Sequence, residues 1–145
     1  MKTTPYLNFN GDCRQAFETY ERVLGGELYL ITYGEAPADA APGEGCGDIA
    51  ASAKDRIMHV TLARDRMPVL MGSDMPPGME KSNAGGIAVA LNCDDNGEAE
   101  RVFAALAEGG QVQMAMAETF WAERFGMLTD RFGTPWLING VYKQT

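Results

Sequence analysis

His59 is the one histidine in the chain. Histidine is the side chain type whose charge changes near neutral pH, so His59 is the first candidate for acid–base work. Glu118, just before the aromatic residues Trp121 and Phe125, is the second candidate base, with Arg124 close in sequence. Trp121 and Phe125 are the large flat side chains that small-molecule sites use as walls around a few orienting polar groups. Tyr6, Asn8 and Asn92 can supply such groups. Tyr6 and Asn8 have the same parity on one short strand, and Asn92 holds the matching place in a second copy of the same pattern. Each residue also has a plainer use. A strand histidine is often simply hydrogen-bonded, and the two asparagines could cap the turns before Asp12 and Asp95.

The elements that must position these residues are announced by an internal repeat. Leu7-Asn8 recurs as Leu91-Asn92, and Gly25-Gly26 recurs at the same spacing as Gly109-Gly110. A second echo links Asp65-Arg66 to Asp130-Arg131, each reading as a hairpin turn. Two copies of one unit make a pseudo-symmetric domain, and a site then belongs where the copies meet.

In the first copy, residues 5–10 read as a strand and Asp12 as a helix N-cap. Ala16, Phe17, Tyr20, Val23 and Leu24 follow at helical spacing, and Gly25-Gly26 makes the stop. Strands are expected over 28–33, 57–63 and 69–71, with a turn at 64–68. Residues 34–56 form a long Gly-, Ala- and Pro-rich connection, read as a mobile flap with a short helix at 49–53. Residues 73–84 are the linker, which Asp74 either begins or leaves to touch ligand. The second copy predicts a strand at 87–93, a helix at 98–108 and strands at 112–117, 125–129 and 136–138. The helical apolar sets agree in phase if one residue is inserted in the Asp94-Asp95-Asn96 turn. Trp136 and Leu137 have opposite parity, so if Leu137 faces the site, Trp136 packs beneath the sheet.

At 145 residues the chain has the size of one domain, read as spanning 1–145, with module 1 at about 5–74 and module 2 at about 85–140. A net charge of -8 opposes nucleic acid and anionic membrane surfaces as partners. No apolar run approaches the roughly 20 residues of a membrane span, and residues 1–5 lack a signal-peptide core. Cys13, Cys46 and Cys93 are odd in number and far apart, which predicts neither a disulfide framework nor a zinc cage and suits a reduced, cytoplasmic setting.

The chain resembles the PhnB-like family of the glyoxalase/bleomycin resistance/extradiol dioxygenase (vicinal oxygen chelate) superfamily. The motifs are Pro5-Tyr6-Leu7-x-Phe9-x-Gly11, Leu24-Gly25-Gly26, Ile57-Met58-His59 and Leu70-Met71-x-Ser73-Asp74. The most specific string runs from Thr119-Phe120-Trp121 through Arg124-Phe125-Gly126 to Asp130-x-Phe132-Gly133-x-x-Trp136. The resemblance implies an α+β fold of two paired β-α-β-β-β modules whose mixed sheet curves into a cup. In metal-dependent members, four ligands converge from the first and last strands of the modules. By position these fall here on Tyr6, Leu70 or Met71, Ala88 and Leu137, none of them a histidine or carboxylate, so the usual metal site is expected to be missing. No cofactor follows from the residues, and a divalent metal held in another way stays open. The resemblance implies a small-molecule binding protein, with ligand contacts from Tyr6, Asn8, His59, Asn92, Trp121 and Phe125, and a homodimer. The alternative is a lyase-, isomerase- or oxygenase-like enzyme acting on a small metabolite with His59 or Glu118 as acid or base. A methyltransferase is not expected, because Gly85-Gly86 precedes a strand and does not open a helix.

Overall fold

Alternation and helical spacing lay out the chain as two copies of strand, helix and three strands. The computed structural model describes residues 1–36, 53–79 and 85–144. Contacts divide the chain into two compact units, Met1–Asn83 and Ala84–Thr145. In the first, β1 (Tyr6–Phe9) leads to α1 (Cys13–Leu24), then β2 (Glu27–Thr32), β3 (Ile57–Arg64) and β4 (Met67–Asp74). In the second, β5 (Val89–Asn92) leads to α2 (Asn96–Ala107), then β6 (Gln111–Ala117), β7 (Phe125–Thr129) and β8 (Pro135–Asn139). The sheets have the same topology, β1-β4-β3-β2 and β5-β8-β7-β6. In each, the first strand runs parallel to the last and the other pairs are antiparallel. The two-module repeat is therefore carried into the strand order, as an α+β fold of two four-stranded mixed sheets.

In unit 1 the helix covers one face of the sheet. Ala16, Phe17, Tyr20 and Val23 recur every three or four residues along α1 and are buried, together with Val60, Leu62 and Leu70 of the sheet. Phe9, Phe17 and Tyr20 pack edge to face in series. A side chain at Gly72 would put its Cβ 2.6 Å from the Phe17 ring, so the close approach of α1 to β4 requires glycine there. Strand parity turns Tyr6, Asn8, His59, Thr61, Met71 and Ser73 to the other face. In unit 2, Ala99, Val102 and Leu106 of α2 are buried along with Leu128, Trp136 and Ile138. Ala90, Asn92, Met127, Leu137 and Asn139 take the parity opposite to these. Trp136 thus packs beneath the sheet, as its parity against Leu137 requires.

The repeated glycines explain themselves. Gly25 and Gly109 adopt left-handed φ values of 77° and 71° and leave their helices. Gly26 and Gly110 then pass so close to the strand opposite that a Cβ would meet the Ala63 carbonyl oxygen at 2.4 Å and that of Thr129 at 2.3 Å. Gly110 answers packing alone, whereas Gly26, with φ of 107°, answers both packing and backbone sign.

Several boundaries differ from expectation. Asp12 precedes α1 but caps nothing with its side chain. The Asp74 carboxylate takes the N–H groups there instead, so Asp74 is a buried tie and not the start of a linker. Asp95 does cap α2, accepting from the Glu98 amide at 2.7 Å, which starts that helix two residues before the expected Glu98. The strand expected over 87–93 is confined to β5. The two hairpin turns also differ. Asp65 and Arg66 form a two-residue turn with φ of 49° and 66°, the left-handed pattern that matches strand twist. Asp130 instead organises its turn with its side chain, accepting from Phe132 and Thr134. The helix expected at 49–53 lies, apart from Ala53, outside the described residues, as do most of the expected flap and Cys46. Among the described residues, no helix is long and apolar enough to cross a membrane.

Candidate functional site

The face of sheet 1 turned away from α1 carries a hydrogen-bonded chain across its strands. Tyr6 pairs with Met71 and Met71 with Thr61, which places these residues in one row across β1, β4 and β3. His59, two residues before Thr61, leans over that row. Its Nδ1 lies 3.1 Å from the Tyr6 hydroxyl and its Nε2 lies 3.0 Å from Thr61 Oγ1. The Tyr6 and His59 rings sit 5.7 Å apart and are tilted by 31°. Both imidazole nitrogens are therefore engaged, and Tyr6, 46% exposed, carries the chain to solvent. Beside it, Asn8 accepts from the Ser73 hydroxyl at 3.3 Å.

The corresponding face of unit 2 is aromatic and amide-lined. The Trp121 indole donates to Asn139 Oδ1 at 3.2 Å and packs edge-on to Phe125, with centroids 5.0 Å apart. Phe120, 88% exposed, stacks edge-on against the other side of Trp121. Asn139 in turn donates from its amide to Asn92 Oδ1, which also accepts from the Tyr142 hydroxyl at 2.8 Å. Phe125 is itself buried, so Trp121, half-buried, is the more accessible member of the pair and Phe125 its support. Neither asparagine caps a turn. Asn8 and Asn92 occupy equivalent places in the register, opposite Ser73 and Asn139, and each is used across the sheet.

Glu118 sits apart from both networks. It is exposed and paired with Lys143, whose hydrogen bond and charge hold the Glu118 carboxyl below the usual carboxylate range. A carboxylate so stabilised is a poor proton acceptor near neutrality, which leaves His59 the stronger acid–base candidate. Arg124 pairs instead with Glu100. Cys13 is buried, and burial followed by the Asp74 charge pushes its thiol far above the usual range, so it offers no nucleophile.

The register corrects one of the positions implied for a metal. Tyr6 pairs with Met71, and the equivalent pairing in unit 2 is Ala90 with Leu137; Ala88 precedes β5 altogether. A phenol, a thioether and two hydrocarbon side chains do not make a site for a divalent cation. Among the described residues, no group of three or more His, Cys, Asp and Glu side chains is gathered that could hold one. The residues present do not fit the metal of the metal-dependent relatives.

Sequence reasoning missed Thr61, Ser73, Asn139 and Tyr142. Thr61 was findable, since it stands two residues from His59 on a strand and must share its face. Asn139 follows from pairing the last strand with Asn92, whereas Tyr142 lies beyond the last strand and has no pattern to announce it.

Two sheets of identical strand order, each with one helix on one face and a polar or aromatic network on the other, define the glyoxalase/bleomycin resistance fold. The profile of the Glyoxalase/Bleomycin resistance protein/Dioxygenase superfamily matches residues 5–138, and the chain belongs to that superfamily, as a PhnB-like member. It is 38% identical to Protein YjdN of Escherichia coli (strain K12) over 146 residues, covering 99% of this chain and 98% of that one. Among solved structures it is similar to protein PA1353 from Pseudomonas aeruginosa, with 44% identity, a TM-score of 0.78 and 96% of each chain covered. The fold is shared with a Bacillus cereus PhnB protein described as a putative 3-demethylubiquinone-9 3-methyltransferase. That likeness is 20% identity and a TM-score of 0.66, over 96% of this chain and 98% of that one.

Proposed function

We propose that this chain is a small-molecule binding protein whose ligand contacts lie on the sheet faces that α1 and α2 do not cover, the polar residues Tyr6, Asn8 and His59 in unit 1 and the aromatic and amide residues Trp121, Phe125 and Asn92 in unit 2. The observation that carries the reading is the Tyr6–His59–Thr61 chain, a polar network set across three strands on a face that α1 does not cover. Tyr6, at the outer end of that chain, is 46% exposed, which leaves the network within reach of a ligand. In unit 2, Trp121, held in orientation by Asn139 and backed by Phe125, supplies a flat apolar surface of the kind small-molecule sites use.

A second reading, an enzyme acting on a small metabolite, is favoured by the same histidine. His59 joined to an exposed phenol can pass a proton to or from a bound group, whereas Glu118 is engaged by Lys143. The methyltransferase wording attached to the Bacillus cereus neighbour is not carried over. Gly85 and Gly86 precede β5, while a loop that cradles an adenosyl cofactor leaves a strand and opens a helix.

The test is a ligand-induced thermal-shift screen followed by titration of the strongest binder against two variants. Tyr6→Phe is expected to weaken a binder on the unit 1 face roughly tenfold by removing one hydrogen bond to ligand, and Trp121→Ala to weaken a binder on the unit 2 face about thirtyfold by removing the anchoring surface. Both variants binding within about twofold of the parent would remove these faces from the site.

A further inference from the structure

The tautomer of His59 decides which way the Tyr6 hydroxyl points. A neutral imidazole has one donor and one acceptor nitrogen, whereas the imidazolium has two donors. With Nδ1 as acceptor, Tyr6 O–H is turned inward to His59. With both nitrogens protonated, Tyr6 and Thr61 must each accept from the ring, and the Tyr6 proton is released outward. Starting from the tautomer in which Nδ1 accepts, protonation changes two things together at one exposed phenol. It turns a donor toward solvent, and it puts a positive charge one hydrogen bond behind it.

We infer that the Tyr6–His59 pair is an acid-strengthened carboxylate site, in which the Tyr6 hydroxyl donates to the ligand's carboxylate and charged His59 stands behind it. This rests on the small-molecule reading above and names the ligand's chemical class. One hydroxyl and one charge match a monoanion. A phosphate-like group would call for Arg or Lys donors, and the residues in register around His59 on this face are Tyr6, Ile31, Thr61, Met71 and Ser73. The chain's net charge of -8 opposes anions generally, so without the His59 charge the site has only neutral hydrogen-bond donors to hold one with.

The other groups around His59 do not supply the switch. On β2, Ile31 is opposite His59, and the nearest carboxylate on that strand is Glu27, four residues away. At about 3.3 Å per residue that is roughly 13 Å along the strand, and Glu27 already accepts from the Tyr29 hydroxyl. On β4, Met71 and Ser73 share the face and neither titrates, while Asp74 has the opposite parity and accepts from Gly11, Cys13 and Ile57. Arg56, just before β3, donates to the Met75 carbonyl. Lys2 reaches Met67, at the far end of β4. On β1, Tyr6 and Asn8 are the neighbours.

The experiment uses acetate as the charged probe and acetamide as its uncharged counterpart. Each is titrated into the full chain at about pH 5.5 and about pH 8, with the charge state of His59 read at each pH. Because His59 is the one histidine, its imidazole 15N signals report tautomer and charge without further assignment. Acetate is expected to bind at least roughly tenfold tighter at the lower pH, with acetamide unaffected by pH. His59→Gln, which keeps a polar side chain that does not titrate, is expected to bind acetate equally at both. Equal acetate affinity at the two pH values, a pH dependence that survives in His59→Gln, or no acetate binding at about pH 5.5 would each overturn the inference. The broader binding reading fails on a different result, the indifference of screened ligands to Tyr6→Phe and Trp121→Ala.

Discussion

Asp74→Ala should lower the unfolding free energy by about 4 kcal/mol in urea titration, one of the two largest losses expected from a single side chain here. Asp74 is 1% exposed, and its carboxylate accepts three backbone N–H groups: Gly11 at 2.8 Å, Cys13 at 3.0 Å and Ile57 at 2.9 Å. Those donors belong to the start of α1 and the start of β3, which the last residue of β4 thereby ties together. Removing the carboxylate strands buried donors at a cost of roughly 1–3 kcal/mol each, less whatever water recovers. It also removes a negative charge from a helix N-terminus, where the dipole favours one. Asp74→Asn separates these effects. It retains an acceptor for Gly11 and Cys13 but turns an amide donor toward the Ile57 N–H, so it should cost about half as much. A loss below about 1 kcal/mol for Asp74→Ala would show that the three bonds do not set local stability.

Asp130→Ala should be comparably damaging to unit 2, at about 3–5 kcal/mol. This carboxylate, 5% exposed, accepts from Phe132 at 2.9 Å and Thr134 at 3.0 Å, which shapes the turn, and from the Trp136 indole at 2.9 Å, which ties the turn to the core. The spacing Asp130-x-Phe132-Gly133-x-x-Trp136 thus has a physical meaning, since one carboxylate serves a turn and a buried indole together. A double-mutant cycle with Trp136→Phe checks this directly, because phenylalanine removes the indole donor while keeping an aromatic ring. The two losses should fall short of additivity by about 1–2 kcal/mol. Strict additivity would mean that Asp130 acts through the turn alone.

The repeat and the strand periods were readable in the sequence because each rests on local rules. Gly25 and Gly109 mark positive φ, and the parity of Trp136 against Leu137 fixes which of them is buried. What escaped was cross-strand. Nothing near Asp12 says that Asp74, far along the chain, will take the Gly11 and Cys13 N–H groups at the start of α1. Nothing in the echo of Asp65-Arg66 by Asp130-Arg131 says that one turn is made by backbone sign and the other by a side chain. The candidate site divides in the same way. His59, Tyr6, Asn8, Asn92 and Trp121 stood out by type and parity, while their partners Thr61, Ser73, Asn139 and Tyr142 emerge only when the register is known. Glu118 stood out by composition and was discounted by a lysine beyond the last strand.

The central claim is that the helix-free sheet faces take a small molecule, and amide and indole chemical-shift mapping with the strongest thermal-shift binder tests it most directly. The account predicts perturbations centred on Tyr6, Asn8 and His59 for a binder on unit 1, and on Asn92 and the Trp121 indole N–H for a binder on unit 2. Perturbations confined to the exposed surfaces of α1 and α2, with these five residues unmoved at saturation, would contradict it.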